Sequence, residues 1–325
     1  MKAIAWTAFG RPEVLQLKDF PTPSPKKGEV LIKVFASTVT AGDARLRALR
    51  VPAGFKLLSR LAFGFSKPKR AIPGMELSGE IVAVGENVNQ FQVGDAVYGS
   101  TGMKLGAHAE YVCLTEKAAL VKKPDNLNHE QAVAIIFGGL TALHFLRDCA
   151  NIQQGQKVLI NGAAGAVGTA AVQLAKFFGA EVTGVCSTAN LPLVQALGAH
   201  HLIDYSQEDM TTHGACYDII LDTVGNLHWA KCEPMLAKDG KLILINASLK
   251  TQLSSLINKR LICGVADESK GGLNYLRERA EANDIKPVID KTYPLSQIAE
   301  AHHHVDSGHK KGNVVITIGD SLPRT

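Results

Sequence analysis

No two of the six cysteines in this 325-residue chain form a C-x-x-C pair. Cys113, Cys149, Cys186, Cys216, Cys232 and Cys263 are dispersed, mostly inside apolar runs, which speaks for reduced, packed thiols rather than a disulfide framework or a zinc knuckle. No sustained apolar run of membrane-spanning length stands out, so a soluble chain is expected. The N-terminus opens on strand-like MKAIAW, without the basic-then-apolar layout of a secretory signal or the Arg/Ser-rich pattern of a transit peptide. The cytoplasm is therefore the expected compartment. Acidic residues are missing from one stretch: Arg45, Arg47, Arg50, Lys56, Arg60, Lys67, Lys69 and Arg70 stand together with no Asp or Glu among them, although the net charge is only +5. Such a block either attracts phosphates or anionic surfaces or is simply a solvated loop. A membrane-surface contact is left open by this reading; no nucleic-acid partner is expected.

What is present is ordinary for a globular protein, 46% hydrophobic and 20% charged, and the length accommodates two compact domains. The first third reads as short strands divided by Gly and Pro, at 30–36, 80–84, 95–98 and 109–114, which predicts a β-rich, barrel-like unit. From residue 158 strands and helices alternate: strands at 158–161, 181–185, 201–205, 219–223 and 242–246, with helices at 167–178, near 193–197 and up to 236. Apolar strands alternating with amphipathic helices predict a parallel sheet covered on both faces. The end of the chain carries helices near 273–282 and 295–305 and a closing strand at 314–318 that rejoins the first unit. The expected organisation is an α/β chain in three pieces, 1–123, 124–268 and 269–325, with the middle piece inserted into a discontinuous β-rich domain.

The strand at 157–161 runs into Gly162-Ala-Ala-Gly165-Ala-Val-Gly168 and then a helix, the strand-turn-helix context that a dinucleotide-binding turn requires. Glycines permit the tight turn and the close approach of a pyrophosphate, which the free N–H groups of the helix start then face. The second strand ends in Ser187-Thr188 with no carboxylate to repel a 2′-phosphate, so NADPH is favoured over NADH. Ser187 and Thr188 also suit a helix cap. No Arg or Lys adjoins them, which leaves His201, Tyr205, Lys310 or Lys311 to meet the phosphate.

Eight ordered stretches carry a resemblance: ASTVTAGD at 36–43, GMELSGE at 74–80, VGDAVYG at 93–99, AEY at 109–111, FGGLT at 137–141, the turn at 162–168, DTVG at 222–225 and GHKKGNVV at 308–315. On them the chain resembles the medium-chain dehydrogenase/reductase superfamily, in its zinc-free quinone oxidoreductase-like branch. The resemblance implies a GroES-like catalytic domain with an inserted Rossmann domain. It also implies that Thr141 contacts the nicotinamide or its ribose, and that Gly165, Ala166, Val167 and Gly168 hold the pyrophosphate. The resemblance makes Asn246 and Asn313 further cofactor contacts, beside Ser187, Thr188 and Tyr205, which the strand ends and the charge argument place at the phosphate-bearing adenosine end. Where zinc enzymes of the superfamily place their metal ligands, this chain has Thr40, Met75 and Phe137, none of which binds Zn²⁺ as thiolate or imidazole.

Without a Lewis acid, reducing an activated acceptor is easier than oxidising a simple alcohol, because conjugation spreads the negative charge that develops. The expected activity is a zinc-independent, NADPH-dependent reduction of a quinone or α,β-unsaturated carbonyl, with an enoyl thioester as an alternative substrate. A non-catalytic NADPH-binding protein, crystallin-like or a membrane adaptor, is the alternative of another class. Thr40, Asp43 and Arg45 are the candidate catalytic residues, Thr40 seating nicotinamide or substrate and Arg45 meeting an anionic product. The competing reading is an Asp43–Arg45 ion pair on a loop. His108 is a candidate proton donor. His302, His303 and His304, consecutive on a helix, diverge and are expected on a solvated face. A homodimer is a further expectation.

Overall fold

Short runs of Val, Ile, Leu and aromatic residues suit a pleated, half-buried surface. They shape the chain's first part into seven strands: β1 (Lys2–Trp6), β2 (Leu15–Asp19), β3 (Glu29–Thr38), β4 (Glu76–Val84), β5 (Ala96–Ser100), β6 (Tyr111–Thr115) and β7 (Leu120–Lys122). Six more follow, β8 (Lys157–Asn161), β9 (Glu181–Cys186), β10 (His201–Asp204), β11 (Tyr217–Asp222), β12 (Leu236–Leu244) and β13 (Leu261–Cys263), and then β14 (Ile289–Pro294) and β15 (Asn313–Thr317). The computed structural model describes residues 1–212, 214 and 216–319. Two units emerge: residues 1–51, 56–137 and 268 onward, and residues 52–55 with 138–267.

In the first unit β1 and β2 form a hairpin-like antiparallel pair. The other strands make a seven-stranded sheet ordered β14-β15-β3-β4-β5-β7, with β6 also paired to β3. Its core gathers Ile32, Val34, Leu77, Ile81, Leu114 and Val314, covered in part by the helix Ile298–Asp306 through Ile298 and Ala301. The strand that closes the chain does rejoin this sheet, β15 pairing antiparallel with β3.

The second unit is a six-stranded, fully parallel sheet ordered β10-β9-β8-β11-β12-β13. Val158, Leu159 and Ile160 of β8 are completely buried, as a strand covered on both faces must be. The order reverses between β8 and β11. Ligands of such sheets bind outside the carboxyl ends of the strands at that reversal.

The chain enters the main part of the second unit at 137/138, where the sequence suggested 123/124. The reason is the helix His129–Val133, started by a reciprocal Asn128–Gln131 capping box and packed on β3, β4, β5 and β15 with Ala132 and Val133 fully buried. Residues 52–55 were not expected to leave the first unit. They cluster with the second because Ala53 O accepts the Leu249 N–H at 3.0 Å, and Gly54 sits where a Cβ would come within 2.7 Å of the Leu249 side chain. One helical run, 129–149, is long and apolar enough to cross a bilayer by length and composition, contrary to expectation. With 72% of that stretch buried in protein, it is a core helix.

The three consecutive histidines diverge, but they do not share a solvated face. His303 pairs with Glu13 at 2.7 Å and His304 with Asp290 at 2.6 Å. His302 points inward, is buried, and has no hydrogen-bond partner on either ring nitrogen. Burial holds its pKa well below the ordinary value of 6.5, with the nearby His108, Arg47 and His303 acting in the same direction. The folded chain thus keeps this imidazole neutral while the unfolded chain takes up a proton near pH 6.5, so its contribution to stability is lost as pH falls below that value. For a group that stays neutral throughout, the loss at pH 5.5 relative to neutrality is about 1.4 kcal/mol. His302→Leu is expected to keep full stability at pH 7.5, since it removes an unpartnered polar group, and to reduce the pH dependence by that amount. Urea unfolding at pH 7.5 and 5.5 measures the difference; an unchanged slope with pH would exclude His302 as its source.

Candidate active site

The glycine turn after β8 is set by close contacts. Gly162 has φ +81°, and a Cβ there would lie 2.5 Å from the Thr223 hydroxyl. At Gly168 a Cβ would be 2.1 Å from Gly162 O, and at Gly138 it would be 2.2 Å from Ala166 O. These two glycines bring the helices Ala166–Phe177 and Ile136–Leu143 against the turn. Gly165 differs: its φ of −79° and ψ of 176° suit any residue, and nothing but Gly162 O lies within 4 Å of a Cβ placed there, at 3.5 Å. Open space therefore faces this position.

The helix Ala166–Phe177 makes its first hydrogen bond from Thr169 N to Gly165 O, and no side chain caps it. Ala166, Val167 and Gly168 thus present N–H groups without helical acceptors, at the positive end of twelve residues of aligned peptide dipoles. That is a cradle for a pyrophosphate, and the residues present fit one. Thr141, buried and one turn beyond Gly138, shares the helix face that meets the turn.

Beside the turn, Asp222 is completely buried and organises residues 223–227. Its side-chain oxygens accept the N–H groups of Val224, Gly225 and Leu227, each at 3.0 Å, and the Asn161 amide at 2.9 Å. Asn246 packs against Gly225, where a Cβ would be 3.1 Å from its own Cβ. The second unit thereby assembles Gly165 to Gly168, Thr141, the 223–227 loop and Asn246 around one turn.

At the end of β9 the structure corrects the expectation that no carboxylate is near. The Thr188 hydroxyl donates to Asp204 at the end of the neighbouring β10, and Ser206 N and Oγ donate to the other Asp204 oxygen at 3.0 and 2.6 Å. These bonds, Ser206 foremost, lower the Asp204 pKa, so it is ionised at neutral pH. Ser187 occupies a cap position without a side-chain cap bond and accepts from Asn190 Nδ2 at 3.1 Å. Tyr205 is 61% exposed.

In the first unit, Thr40 and Asp43 are joined by a capping box at the start of the helix Ala41–Arg47. Thr40 N and Oγ1 donate to Asp43 Oδ2 at 2.9 and 2.6 Å, while Asp43 N donates to Thr40 Oγ1 at 3.0 Å. The Thr40 proton is spent on the box, leaving its hydroxyl one lone pair to offer. Arg45 is partly buried on the same helix, and burial together with the charge of Arg50 lowers its pKa. Asn313 is buried, with both its backbone N–H and its amide donating to Val288 O at 2.8 and 3.1 Å.

The sequence reading missed Glu76 and took Lys310 only as a partner for the 2′-phosphate. Glu76, buried in β4, takes a hydrogen bond from Thr38, and burial pushes its pKa well above the carboxylate range, with Asp43 and Glu268 adding to the rise. Glu76 therefore holds its proton more tightly than an ordinary carboxyl group. Lys310 donates to Gly312 O at 2.5 Å, and burial lowers it to about 8 against the opposing pull of Asp290 and Glu76. An acid inside the apolar run after Gly74 was the available signal for Glu76. His108, the candidate donor, is fully buried, donates Nε2–H to Thr38 O at 2.9 Å, and lies so close to Gly74 that a Cβ there would meet it at 2.6 Å. It is a packing residue. Among the described residues no three His, Cys, Asp or Glu side chains converge to hold a metal.

A parallel sheet with its order reversing beside an anion cradle, together with a β-rich unit holding buried proton-bearing groups, defines an oxidoreductase of the nicotinamide-dependent dehydrogenase/reductase class. The chain belongs to the medium-chain dehydrogenase/reductase superfamily, in its quinone oxidoreductase-like branch. Residues 26–125 match the alcohol dehydrogenase GroES-like domain and residues 197–316 the zinc-binding dehydrogenase family. The latter range contains none of Thr40, Met75 and Phe137, so the match carries no information about the metal. A quinone oxidoreductase, QR1, of Triphysaria versicolor is 32% identical over 97% of this chain and 98% of its own. An NADPH-dependent alkenal/one oxidoreductase of Arabidopsis thaliana is 29% identical over 97% of this chain and 79% of its own. Among solved structures, the quinone oxidoreductase from Coxiella burnetii superposes with a TM-score of 0.87 at 30% identity, covering 98% of this chain and 99% of that one.

Proposed function

We propose that this chain is an NADPH-dependent, zinc-independent reductase acting on a quinone or an α,β-unsaturated carbonyl. The observation that carries the reading is that Thr40, Met75 and Phe137 stand where the resemblance places a metal-binding set, in a unit whose nearby acid, Glu76, has its pKa pushed up by burial. A conjugated acceptor needs no Lewis acid, because its own π-system takes up the developing charge. The names of the Triphysaria and Arabidopsis relatives support both acceptor classes.

The reduced nicotinamide supplies the hydride when bound. The protein's share is to hold and orient. Ala166, Val167 and Gly168 bind the pyrophosphate through their N–H groups, and Thr141 orients the ring end of the cofactor from its buried helix position. Ser187 and Tyr205 receive the adenosine ribose, with the exposed Tyr205 hydroxyl available to a 2′-phosphate. Asp204 opposes that phosphate by its charge, although donors from Thr188 and Ser206 engage both of its oxygens. In the first unit burial raises the pKa of Glu76 and lowers that of Lys310 to about 8, which makes these two the groups to test as proton sources for a product oxyanion. Six cysteines free of disulfides among the described residues support a cytoplasmic site of action.

The test is oxidation of NADPH and NADH by EDTA-dialysed protein with one quinone, one enal, one enoyl coenzyme A and one simple alcohol. The expected result is metal-free turnover of the quinone or enal, with kcat/KM for NADPH about tenfold above NADH, a difference of about 1.4 kcal/mol. Alcohol oxidation restored by zinc would overturn the reading. Nucleotide binding without turnover of any acceptor would make the chain a binding protein.

A further inference from the structure

Thirty-two consecutive residues, 44–75, contain no acidic side chain, and in their middle lies the helix Lys56–Phe63, which buries none of its residues. Leu57, Leu58 and Leu61 are 65%, 53% and 51% exposed, and Phe65 just beyond is 56% exposed. At about 100° per residue, Leu57 and Leu61 stand one above the other with Leu58 beside them, while Lys56 and Arg60 flank the same stripe on its other side. An apolar stripe left open to water on a helix this short has no reason to be stable unless something covers it.

The segment is nonetheless built. The return loop is pinned to the helix by Gly64 N to Arg60 O at 2.9 Å, Lys69 N to Phe63 O at 2.7 Å, Arg60 Nη1 to Phe65 O at 3.3 Å and Lys69 Nζ to Leu61 O at 2.5 Å. Gly64, at φ +125°, permits the reversal, since a Cβ there would meet Lys67 O at 2.0 Å. Lys56, Lys67 and Arg70 make no ion pair among the described residues and remain available to an outside anion. Apolar side chains and unpaired cations are thus presented by one small, internally hydrogen-bonded element.

We propose that the helix Lys56–Phe63 with its return loop is a docking surface for an anionic lipid bilayer. Charge complementarity selects the partner: a lipid surface offers phosphates to Lys56, Lys67 and Arg70 and, directly beneath them, the acyl boundary to Leu57, Leu58, Leu61 and Phe65. A soluble phosphate carrier would use the cations and leave the leucines in water. The inference does not depend on the quinone reading, because binding is scored without turnover.

Flotation of the full chain with phosphatidylcholine vesicles, with and without 30 mol% phosphatidylserine, tests it. Partitioning should be at least about tenfold stronger to the anionic vesicles and should weaken with salt. Leu57→Ser/Leu61→Ser and Lys56→Glu/Lys67→Glu should each lower it at least about tenfold, while the thermal midpoint and NADPH affinity, read on the same samples, stay unchanged. Absence of binding to anionic vesicles overturns the proposal. So does binding indifferent to the leucine pair, or displacement by millimolar coenzyme A, either of which would make the segment a simple phosphate site.

Discussion

Gly165→Asp is expected to give a protein at least as stable as the parent that no longer holds its nucleotide. The backbone at 165 is already extended, a side chain there meets only Gly162 O at an ordinary 3.5 Å, and the helix Ala166–Phe177 has no side-chain cap. Aspartate is among the best residues for that position, better than glycine by a few tenths of a kcal/mol, and its charge suits the positive helix end. The same carboxylate would occupy the N–H groups of Val167 and Gly168 and repel a pyrophosphate. An affinity loss of roughly 100-fold, about 2.7 kcal/mol, is expected in a fluorescence titration with NADPH, with a thermal midpoint equal to or above that of the parent. A large fall in the midpoint would mean that the turn is held by more than the contacts described; unchanged affinity would place the pyrophosphate elsewhere.

Asp222→Ala is expected to do the opposite, damaging the fold first. Three backbone N–H groups and the Asn161 amide lose their acceptor in a place without solvent, a loss of roughly 3–5 kcal/mol in urea unfolding. Because Thr223 and Val224 lie against Gly162, releasing the 223–227 loop also loosens the cradle, and nucleotide affinity should drop about tenfold in whatever fraction remains folded. Asp222→Asn keeps an oxygen acceptor and should recover about half of the lost stability. A loss below about 1 kcal/mol for the alanine variant would show that water can replace the side chain.

The nucleotide turn was legible because all its requirements are local: a strand, closely spaced glycines and an amphipathic helix follow one another within twenty residues. The strands β3, β4 and β8 to β11 were legible for a similar reason, their apolar residues recurring at short range. The helical stretch 129–149 was not, since a helix buried on most sides has no polar face and so no 3.6-residue rhythm to detect. Strand β2, with four of its five residues exposed, and the three-residue β7 and β13 carry too little pattern. The chemistry was harder still. Burial pushes up the Glu76 pKa, with Asp43 and Glu268 brought beside it from distant parts of the chain, against the opposing hydrogen bond from Thr38. Asp204 meets Thr188 only because β10 lies beside β9. Thr40 and Asp43 read as reactive groups, with an Asp43–Arg45 ion pair on a loop as the competing reading, whereas their hydrogen bonds make a helix start that neither reading contained.

The four residues 52–55 have a bearing on modularity. The chain passes from one unit to the other at 51/52, 55/56, 137/138 and 267/268, so the nucleotide-binding unit is not a single excisable cassette. A recombinant piece covering 138–267 alone would lack the carbonyl of Ala53 that receives Leu249 N–H, and the glycine contact that seats the start of the helix Leu249–Ser255. Exchange of this unit between homologous enzymes, in the laboratory or in evolution, therefore has to carry a second, separate cut in the gene.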